Sequence, residues 1–422
     1  MTPAITSYKT AAVETNPYRP GDRPQVFVGR QAERAKLRER LARVIAYGEM
    51  MGPLTVVTGP RGLGKTSLLR DVADQAASDG FVVCWTVGLK RKPFLDELLG
   101  QVARATARTD SVSAPASRRH LEELAVQLTL GLDTVEATAT PSGPGPAALD
   151  RRSVGQVERF LGESARLIRA GGGAGLLVMI DELHAPLEPA SDRDSGQDQE
   201  AVNDAAVLLN AVQDMAAEKE RFPLGVIGAG LPQTKTLLTR VATFAERTRE
   251  IALPKLDGPT SRALLTEPAG LFGVVWSGGA LNWAIRQGDG YPQSLQIIGE
   301  ATWDAAKPER GGEITLAHAK AAEQAVWNEL ESMFQARWQA ATNSEKQFLK
   351  AMASHRKDTV PRAAVAQTLG LATTDLSMAR QSLIAKGVIE APRYGELRFT
   401  IPGFDRFVSA QGDAANSEVG RP

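Results

Sequence analysis

The chain has 422 residues, and its 49 lysines and arginines balance its 49 aspartates and glutamates. A chain of this length can form two or three domains, each with its own core. The balanced charge excludes a global field that would draw the protein to nucleic acid or to an anionic membrane, so any such contact has to be local. The single cysteine excludes a disulfide within the chain, and no segment is apolar over the roughly 18 residues that a membrane span needs. We therefore expect a soluble cytoplasmic protein.

The first part of the chain predicts a polar tail followed by alternating helices and strands. Residues 1–20 are polar and punctuated by proline, which is typical of a flexible tail. Beyond them, "QAERAKLRERLARVIAYG" has apolar residues at helical spacing, and the apolar run "FVVCWTVGL" predicts a buried strand in which Cys84 is a packing residue. Residues 105–150 are rich in Ala, Ser, Thr, Pro and Gly and predict an insertion or loop.

The alternation of helices and strands continues through the middle of the chain. "VGQVERFLGESARLIRA" predicts a helix, and "LLVMIDELH", "FPLGVIGAG" and "REIALPKL" predict strands. Because each strand is a nearly continuous apolar run, we expect an α/β domain over residues 21–256 with a parallel sheet covered on both faces. Helices dominate residues 257–335, residues 336–410 have a separate pattern, and residues 411–422 read as a second flexible tail.

The stretch "GPRGLGKT" follows the predicted strand "TVVT" and precedes a helix, with the spacing G-x-x-x-x-G-K-T. In this context glycines let backbone N–H groups close around phosphate oxygens, the lysine reaches the terminal phosphates, and the threonine hydroxyl binds Mg²⁺. A nucleoside triphosphate is the expected ligand. The predicted contacts are Gly59, Pro60, Arg61, Gly62, Leu63, Gly64, Lys65, Thr66 and Ser67.

Two adjacent acids follow another apolar strand. Asp181 and Glu182 lie at its carboxyl end, where ligands bind in open α/β sheets. We expect Asp181 to hold the Mg²⁺ together with Thr66, and Glu182 to orient and deprotonate the attacking water. His184 follows directly, but a lone histidine at the start of a loop is more often a surface or packing residue, and we assign it no role.

These residues resemble the AAA+ ATPases, in particular the branch related to origin-recognition proteins and to the signalling ATPases called STAND. "GPRGLGKT" and "VMIDE" are similar to the Walker A and Walker B motifs of that family, and "FVGR" is similar to its N-terminal box, which contacts adenine. The resemblance covers roughly residues 16–410. It implies that Val28, Gly29 and Arg30 contact the base of ATP and that residues 257–335 form a helical lid over the nucleotide.

Two positions depart from the family's pattern. "LGVIGAG" occupies the place of the sensor 1 strand but ends in small residues, so Gln233 and Thr234 are the nearest polar substitutes. "GYPQSLQ" occupies the place of sensor 2, where Pro292 would contact the nucleotide, but it lacks the arginine usual in origin-recognition proteins and looks more like the Gly-x-Pro signature of STAND proteins. These departures predict slow turnover, as in a nucleotide-governed switch.

Three arginines precede the last predicted strand: Arg240, Arg247 and Arg249. The resemblance implies that such an arginine completes the active site of a neighbouring subunit, and Arg247 is our preferred candidate. The protein would then form an ATP-dependent homo-oligomer. The alternative is that all three are solvated cations near a helix end.

Residues 336–410 predict three helices followed by a two-stranded hairpin, which is the winged helix-turn-helix pattern. Residue types that suit duplex DNA lie on its third helix and its wing: Ser377, Arg380, Gln381, Lys386 and Arg393. We expect an ATP-dependent regulator that binds duplex DNA. The alternatives are a STAND-like signalling switch, whose winged helix binds a protein or its own ATPase core, and a small-molecule kinase.

Overall fold

The computed structural model describes residues 15–90, 92–108, 119, 154–188, 196–217, 221–241 and 246–418. Most of the predicted insertion at 105–150 therefore lies outside the described residues. The described chain divides into two compact units. One comprises the residues up to Gly29, Pro60–Ser67 and the residues from Pro254 onward; the other comprises Arg30–Gly59 and Leu68–Leu253.

The unit that contains Arg30–Gly59 is built on the predicted parallel sheet. Its strands are β1 (Thr55–Thr58), β2 (Phe81–Val87), β3 (Gly175–Asp181), β4 (Leu224–Gly230) and β5 (Arg249–Ala252). The strands pair in the order β2-β3-β4-β1-β5, and each pair is parallel. The carboxyl ends of all five strands therefore lie along one edge of the sheet, which is the edge that binds ligands in α/β proteins. The α/β prediction is confirmed.

Helices cover this sheet, as the buried strands require. They are α1 (Gln31–Tyr47), α2 (Lys65–Ser78), α3 (Leu95–Arg108), α4 (Val154–Ala170), α5 (Gly196–Ala217) and α6 (Thr234–Val241), and the first turn of α2 belongs to the other unit. β1, β3 and β4 are buried along their whole length. Cys84 is buried, and burial raises the pKa of its thiol to about 12, which fits the predicted packing role. α3 extends to Arg108 and so includes the first residues assigned to the insertion, because Val102 and Thr106 are buried on its inner face.

The other unit is mainly helical. It contains α7 (Gly258–Gly270), β6 (Val275–Trp276), α8 (Gly278–Gly288), α9 (Pro292–Ala306), β7 (Glu313–Ile314), α10 (Leu316–Ala321) and α11 (Glu323–Gln339), with β6 and β7 paired in parallel. None of the helices within the described ranges combines the length and apolar composition that a membrane span needs.

A residue assigned to the N-terminal tail is part of the core of this helical unit. Tyr18 is only 1% exposed, and its ring packs edge-on against Trp276 and Trp303. Its hydroxyl donates to the Leu265 carbonyl and accepts from Trp276 Nε1 at 2.9 Å. The packed part of the chain therefore begins before residue 20, because an aromatic side chain with a polar tip is well suited to a partly polar core.

The same unit ends in a group of short elements. They are α12 (Asn343–Ser354), β8 (Val360–Pro361), α13 (Arg362–Leu369), α14 (Ser377–Ala385), β9 (Ile389–Glu390), β10 (Glu396–Phe399) and α15 (Phe404–Glu418). The strands form an antiparallel sheet in the order β8-β10-β9. α15 continues to Glu418 and so extends into the predicted second tail. Its first turns are anchored because Phe404 stacks on Phe407 and both pack against Phe334 of α11.

Candidate nucleotide-binding site

The loop between β1 and α2 folds back on itself. Gly62 and Gly64 have φ values of 88° and 86°, a left-handed conformation that favours glycine. Lys65 is 5% exposed, and its Nζ donates to the carbonyl of Pro60 at 3.0 Å. Thr66 and Ser67 follow in the first turn of α2, where helix N–H groups lack intrahelical partners. This arrangement places a buried ammonium and a helix N-terminus at one loop, which suits a polyphosphate.

The segment "GYPQ", which belongs to the predicted lid at residues 257–335, contacts this loop directly. The Tyr291 hydroxyl donates to the Arg61 carbonyl, and the backbone N–H of Gln293 donates to the Gly62 carbonyl at 3.2 Å. A Cβ at Gly62 would lie 2.3 Å from Gln293 Oε1 and 2.8 Å from Tyr291 Cε1, so a larger residue does not fit. Burial raises the pKa of Tyr291 to about 12, so its hydroxyl keeps the proton that it donates. Pro292 begins α9 between these two contacts.

A further residue, which no sequence motif indicated, reaches the loop. Arg337 of α11 donates from Nη2 to the Arg61 carbonyl at 3.3 Å. Its Nη1 is buried and has no hydrogen-bond partner among the described residues. Burial lowers the pKa of Arg337; Tyr291 opposes this effect and the charge of Arg61 adds to it. The two hydrogen-bonded residues are 276 positions apart, so no local pattern could have linked them.

The predicted adenine box has an unusual backbone. Gly29 has a φ of 80°, and a Cβ there would lie 2.4 Å from Cγ2 of Thr260. The next residue, Arg30, is also left-handed at φ 63° and precedes α1. Arg30 is 8% exposed, and burial lowers its pKa although Glu33 acts in the opposite direction. Val28 is half-buried. The contact of Val28, Gly29 and Arg30 with a base stays a prediction.

The acidic pair lies at the end of β3 in a strained turn. Asp181 is 5% exposed, and its Oδ1 accepts from the backbone N–H of Glu182 at 2.9 Å. Glu182 has a φ of 50°, a left-handed conformation that costs a residue with a Cβ about 1 kcal/mol or more. The N–H of the next residue, Leu183, donates to the Ala229 carbonyl at 2.8 Å and helps to fix the turn. Strain of this kind clusters at functional sites, which fits the role predicted for Glu182.

His184 contacts the candidate catalytic base. It is fully buried, and its Nδ1 accepts from the backbone N–H of Leu231 at 3.4 Å. In the neutral ring Nε2 then carries the proton, and Nε2 lies 3.5 Å from Glu182 and 3.8 Å from Glu188. Lys90 pairs with Glu188 at 2.9 Å. His184 is therefore buried, as a packing residue would be, but it also faces the Glu182 carboxylate. Its position two residues after Glu182 was the signal that the sequence offered.

β4, the strand at the place of sensor 1, ends without a polar residue for a steric reason. A Cβ at Gly228 would lie 2.6 Å from Leu183 Cδ2, and a longer side chain at Gly230 would collide with Thr234, whose Oγ1 lies 2.2 Å from the Cβ position. Thr234 is no substitute, because its hydroxyl is buried and donates to the Leu231 carbonyl at 2.6 Å. The end of β4 thus has no room for a polar side chain.

Arg247 is exposed and lies two residues before β5. Because the strands are parallel, the amino end of β5 is at the opposite edge of the sheet from Asp181. Arg247 is therefore poorly placed to serve the acids of its own chain. Its action on a neighbouring subunit stays a prediction.

The five residues predicted to contact DNA fall into two groups. Gln381 and Arg393 are exposed, and Arg380 is partly exposed. Ser377 instead accepts from Arg362 Nη2 at 2.9 Å, and Lys386 binds both carboxylate oxygens of Glu345 at 2.7 and 2.9 Å. The Ser377 hydroxyl and the Lys386 ammonium therefore already have partners within the protein.

The parallel sheet, the glycine loop and the acids at the end of β3 define a P-loop α/β protein. Residues 26–226 match the AAA ATPase domain family. This part of the chain is therefore an AAA+ ATPase-like domain, a class that implies nucleotide binding. Residues 331–408 match a domain of unknown function, DUF8462.

Several solved structures are similar to the chain. The Walker-type ATPase PABY2304 of Pyrococcus abyssi is 16% identical with a TM-score of 0.56, and the alignment covers 92% of this chain and 98% of that one. The ORC2 protein of Aeropyrum pernix, in ADPNP and ADP complexes, is 16% identical with a TM-score of 0.46 and coverages of 93% and 96%. The RuvB Holliday junction branch migration motor of Thermotoga maritima is 16% identical with a TM-score of 0.41 and coverages of 88% and 92%. The first of these supports the fold assignment. No curated protein matches the chain.

Proposed function

We propose that the protein is an AAA+ switch that binds ATP with Mg²⁺ and hydrolyses it slowly. The observation that carries this proposal is the glycine loop with the buried Lys65 at the start of α2. The proposed metal ligands are the Thr66 hydroxyl and the Asp181 carboxylate, and hard oxygen donors of this kind suit Mg²⁺. When bound, the ion would neutralise charge on the β- and γ-phosphates.

The residues at the two motifs have separate roles in this proposal. Lys65 binds the terminal phosphates, and Val28, Gly29 and Arg30 contact the base. Glu182 accepts a proton from the attacking water, and His184 orients its carboxylate from 3.5 Å away. Turnover is slow because β4 ends without a polar side chain and Gln293 carries no charge.

The decisive experiment measures ATP affinity with a fluorescent nucleotide. We expect Lys65→Ala to weaken ATP binding by about 100-fold, because a buried ammonium that faces the phosphates is lost. The matched control is Lys320→Ala, which removes an exposed lysine whose ammonium pairs with Glu323 at 3.4 Å and lies 5.3 Å from the centre of the Trp283 ring. Equal ATP affinity in the two variants would refute the proposal.

We also propose that Arg247 completes the active site of a second copy of the chain in an ATP-dependent homo-oligomer. This proposal is supported by its exposed position near the amino end of β5, away from the acids of its own chain. Arg247→Ala should lower turnover and leave ATP affinity intact, and mixing it with Lys65→Ala should restore part of the activity at mixed interfaces. A monomeric mass in ATP, with activity per chain unchanged on dilution, would contradict it.

A second candidate function is binding of duplex DNA through a C-terminal winged helix. The element order from α12 to β10 supports a winged helix, because three helices precede an antiparallel hairpin. Residues 346–406 contain twice as many basic as acidic residues. The exposed Arg393 lies at the hairpin tip, and Arg380 and Gln381 lie on α14, where a recognition helix would contact bases.

Fluorescence anisotropy with duplex DNA across a salt series tests this candidate. Arg393→Ala should weaken binding to all sequences and reduce the salt slope by about one contact, whereas Arg380→Ala should mainly reduce the preference among sequences. Lys386→Ala should leave the salt slope unchanged, because its ammonium already pairs with Glu345. If neither ATP nor ADP supports salt-dependent binding, the STAND-like alternative, with a protein partner for the winged helix, takes the place of DNA.

A further inference from the structure

Arg337 is a half-buried cation beside the glycine loop, and none of the described residues offers it an acidic partner. One of its terminal nitrogens, Nη2, donates to the Arg61 carbonyl at 3.3 Å, and the other, Nη1, is buried without a hydrogen-bond partner among the described residues. The charged and titratable groups that act on it are Arg61, which is also a cation, and Tyr291, whose pKa is raised to about 12 by burial. Within the described chain, therefore, no carboxylate offsets its charge.

A guanidinium in this position is costly to the unliganded protein. Taking a charge out of water without pairing it lowers the stability of the folded protein, and a second nearby cation increases that cost. The loop beside it also contains the buried ammonium of Lys65. Arg337 therefore adds a cation to a loop whose backbone suits phosphate, and an anionic ligand there would balance the charge of Arg337.

We propose that Arg337 binds the phosphate chain of the nucleotide held by this loop. The inference rests on the proposed ATP binding and adds a residue to that site. In this arrangement Arg337 supplies the positive charge that the segment "GYPQSLQ", at the place of sensor 2, lacks. The guanidinium reaches the loop from α11, beyond the predicted lid range of 257–335, and no sequence motif includes it.

The position of Arg337 also connects the nucleotide to the C-terminal elements. Its neighbours Phe334 and Trp338 on α11 pack against Phe407 of α15 at ring-centre distances of 5.7 and 6.5 Å. A phosphate contact that fixes Arg337 therefore fixes the helix against which α15 packs. This gives the C-terminal elements a direct means of responding to the bound phosphates.

The test compares Arg337→Ala with the wild type and with Arg286→Ala, a control that removes an exposed arginine from the last turn of α8. Binding of ATP, ADP and adenosine is measured by competition with a fluorescent nucleotide. We expect Arg337→Ala to weaken ATP and ADP binding by about tenfold to a hundredfold and to leave adenosine binding unchanged, since only phosphate contacts are lost. Arg286→Ala should match the wild type for all three ligands.

Thermal unfolding separates this role from a structural one. Because the charge of Arg337 is unbalanced, Arg337→Ala should leave the melting temperature of the unliganded protein unchanged or raise it, while reducing the increase that ATP produces. Arg337→Lys, which keeps one charge, should bind ATP with intermediate affinity. A lower melting temperature of the unliganded Arg337→Ala protein, without rescue of ATP binding by the lysine variant, would show a structural role and overturn the proposal.

The outcomes also distinguish this inference from the function on which it rests. If the wild type binds ATP and Arg337→Ala binds it equally well, the Arg337 contact is wrong and ATP binding stands. If the wild type itself does not bind ATP, both fail together.

Discussion

The glycine loop and the acidic turn after β3 are held in different ways. The loop depends on distant residues, because its carbonyls accept hydrogen bonds from Tyr291, Gln293 and Arg337, all more than 200 positions away in the chain. The acidic turn is held by residues of the sheet unit. The Leu183 N–H donates to the Ala229 carbonyl at the end of β4, and the buried His184 accepts from the Leu231 N–H. Changes in the lid should therefore affect nucleotide binding through the loop, whereas the acidic turn should respond mainly to its own neighbours.

The largest expected effect distinguishes the acidic turn, which we expect to serve turnover, from the glycine loop, which we expect to serve ATP binding. Glu182→Gln removes the base that accepts a proton from water, so turnover should fall by about 100-fold or more while ATP affinity is retained. Steady-state phosphate release and equilibrium ATP binding are the two measurements. Loss of ATP binding in this variant would show that the acidic turn also holds the ligand. Glu182→Gln and Lys65→Ala would then have the same effect, and the two regions would not differ in function.

The next effect tests whether the predicted lid limits the size of the residue that fits in the loop at Gly62. Gly62→Ala requires a left-handed alanine and places its Cβ 2.3 Å from Gln293 Oε1 and 2.8 Å from Tyr291 Cε1, so the unliganded protein should lose about 2 to 4 kcal/mol of stability. Gly64→Ala is the matched control, because Gly64 has nearly the same φ but none of the described residues lies within 4 Å of its Cβ position. Equal melting temperatures for the two variants would show that the contacts from Gln293 and Tyr291 do not constrain the loop. Adding Gln293→Ala should restore part of the loss.

A smaller effect is expected in the acidic turn. His184→Ala removes the ring that lies 3.5 Å from Glu182, so turnover should fall by about tenfold at unchanged ATP affinity. The control is Glu188→Gln, which alters the other carboxylate facing His184, 3.8 Å away, and should have less effect on turnover. Measuring kcat and KM separately distinguishes the roles, because a lower kcat with unchanged KM indicates a misplaced base. If turnover is the same in both variants, His184 only packs.

The smallest effect concerns one hydrogen bond of the loop. Tyr291→Phe removes the hydroxyl that donates to the Arg61 carbonyl, and the stability of the unliganded protein should fall by about 1 kcal/mol. Arg337 still donates to the same carbonyl, which limits the loss. Chemical denaturation of this variant beside Tyr47→Phe, an exposed tyrosine at the end of α1, measures the difference. No difference would mean that the lid contributes packing alone.

Sequence patterns predicted the parts of the site that depend on chain neighbours. The order of strands and helices, the glycine loop and the acids at the end of β3 all follow from apolar runs and motif spacing, and the fold confirms the α/β architecture. The sequence could not reveal Arg337, because its contact with the loop depends on how α11 packs and no motif surrounds it. The small residues at the end of β4 were visible in the sequence, but the reason for them was not, since it lies in the packing of Leu183 and Thr234 against Gly228 and Gly230.

For two residues of the predicted winged helix, the sequence likewise could not show which partners they bind. Ser377 and Lys386 are of types that suit DNA, and only the packed structure shows that Arg362 and Glu345 already bind them. Although burial acts to raise it, the pKa of Glu345 is lowered overall by hydrogen bonds from Lys386 and Ser382. Residue type predicts what a side chain can bind, whereas its partners decide whether it is available.

The packing of Tyr18 has a practical consequence for anyone who shortens the chain. Gly299 leaves the space for its ring, since a Cβ there would lie 2.5 Å from Tyr18 Cδ1. A version that begins at residue 21 would leave an aromatic socket between Trp276 and Trp303, at a cost of about 3 to 5 kcal/mol by analogy with aromatic truncations. A small phenol such as p-cresol has the shape and the hydroxyl to occupy that socket, so adding it to the truncated protein should recover part of the lost stability.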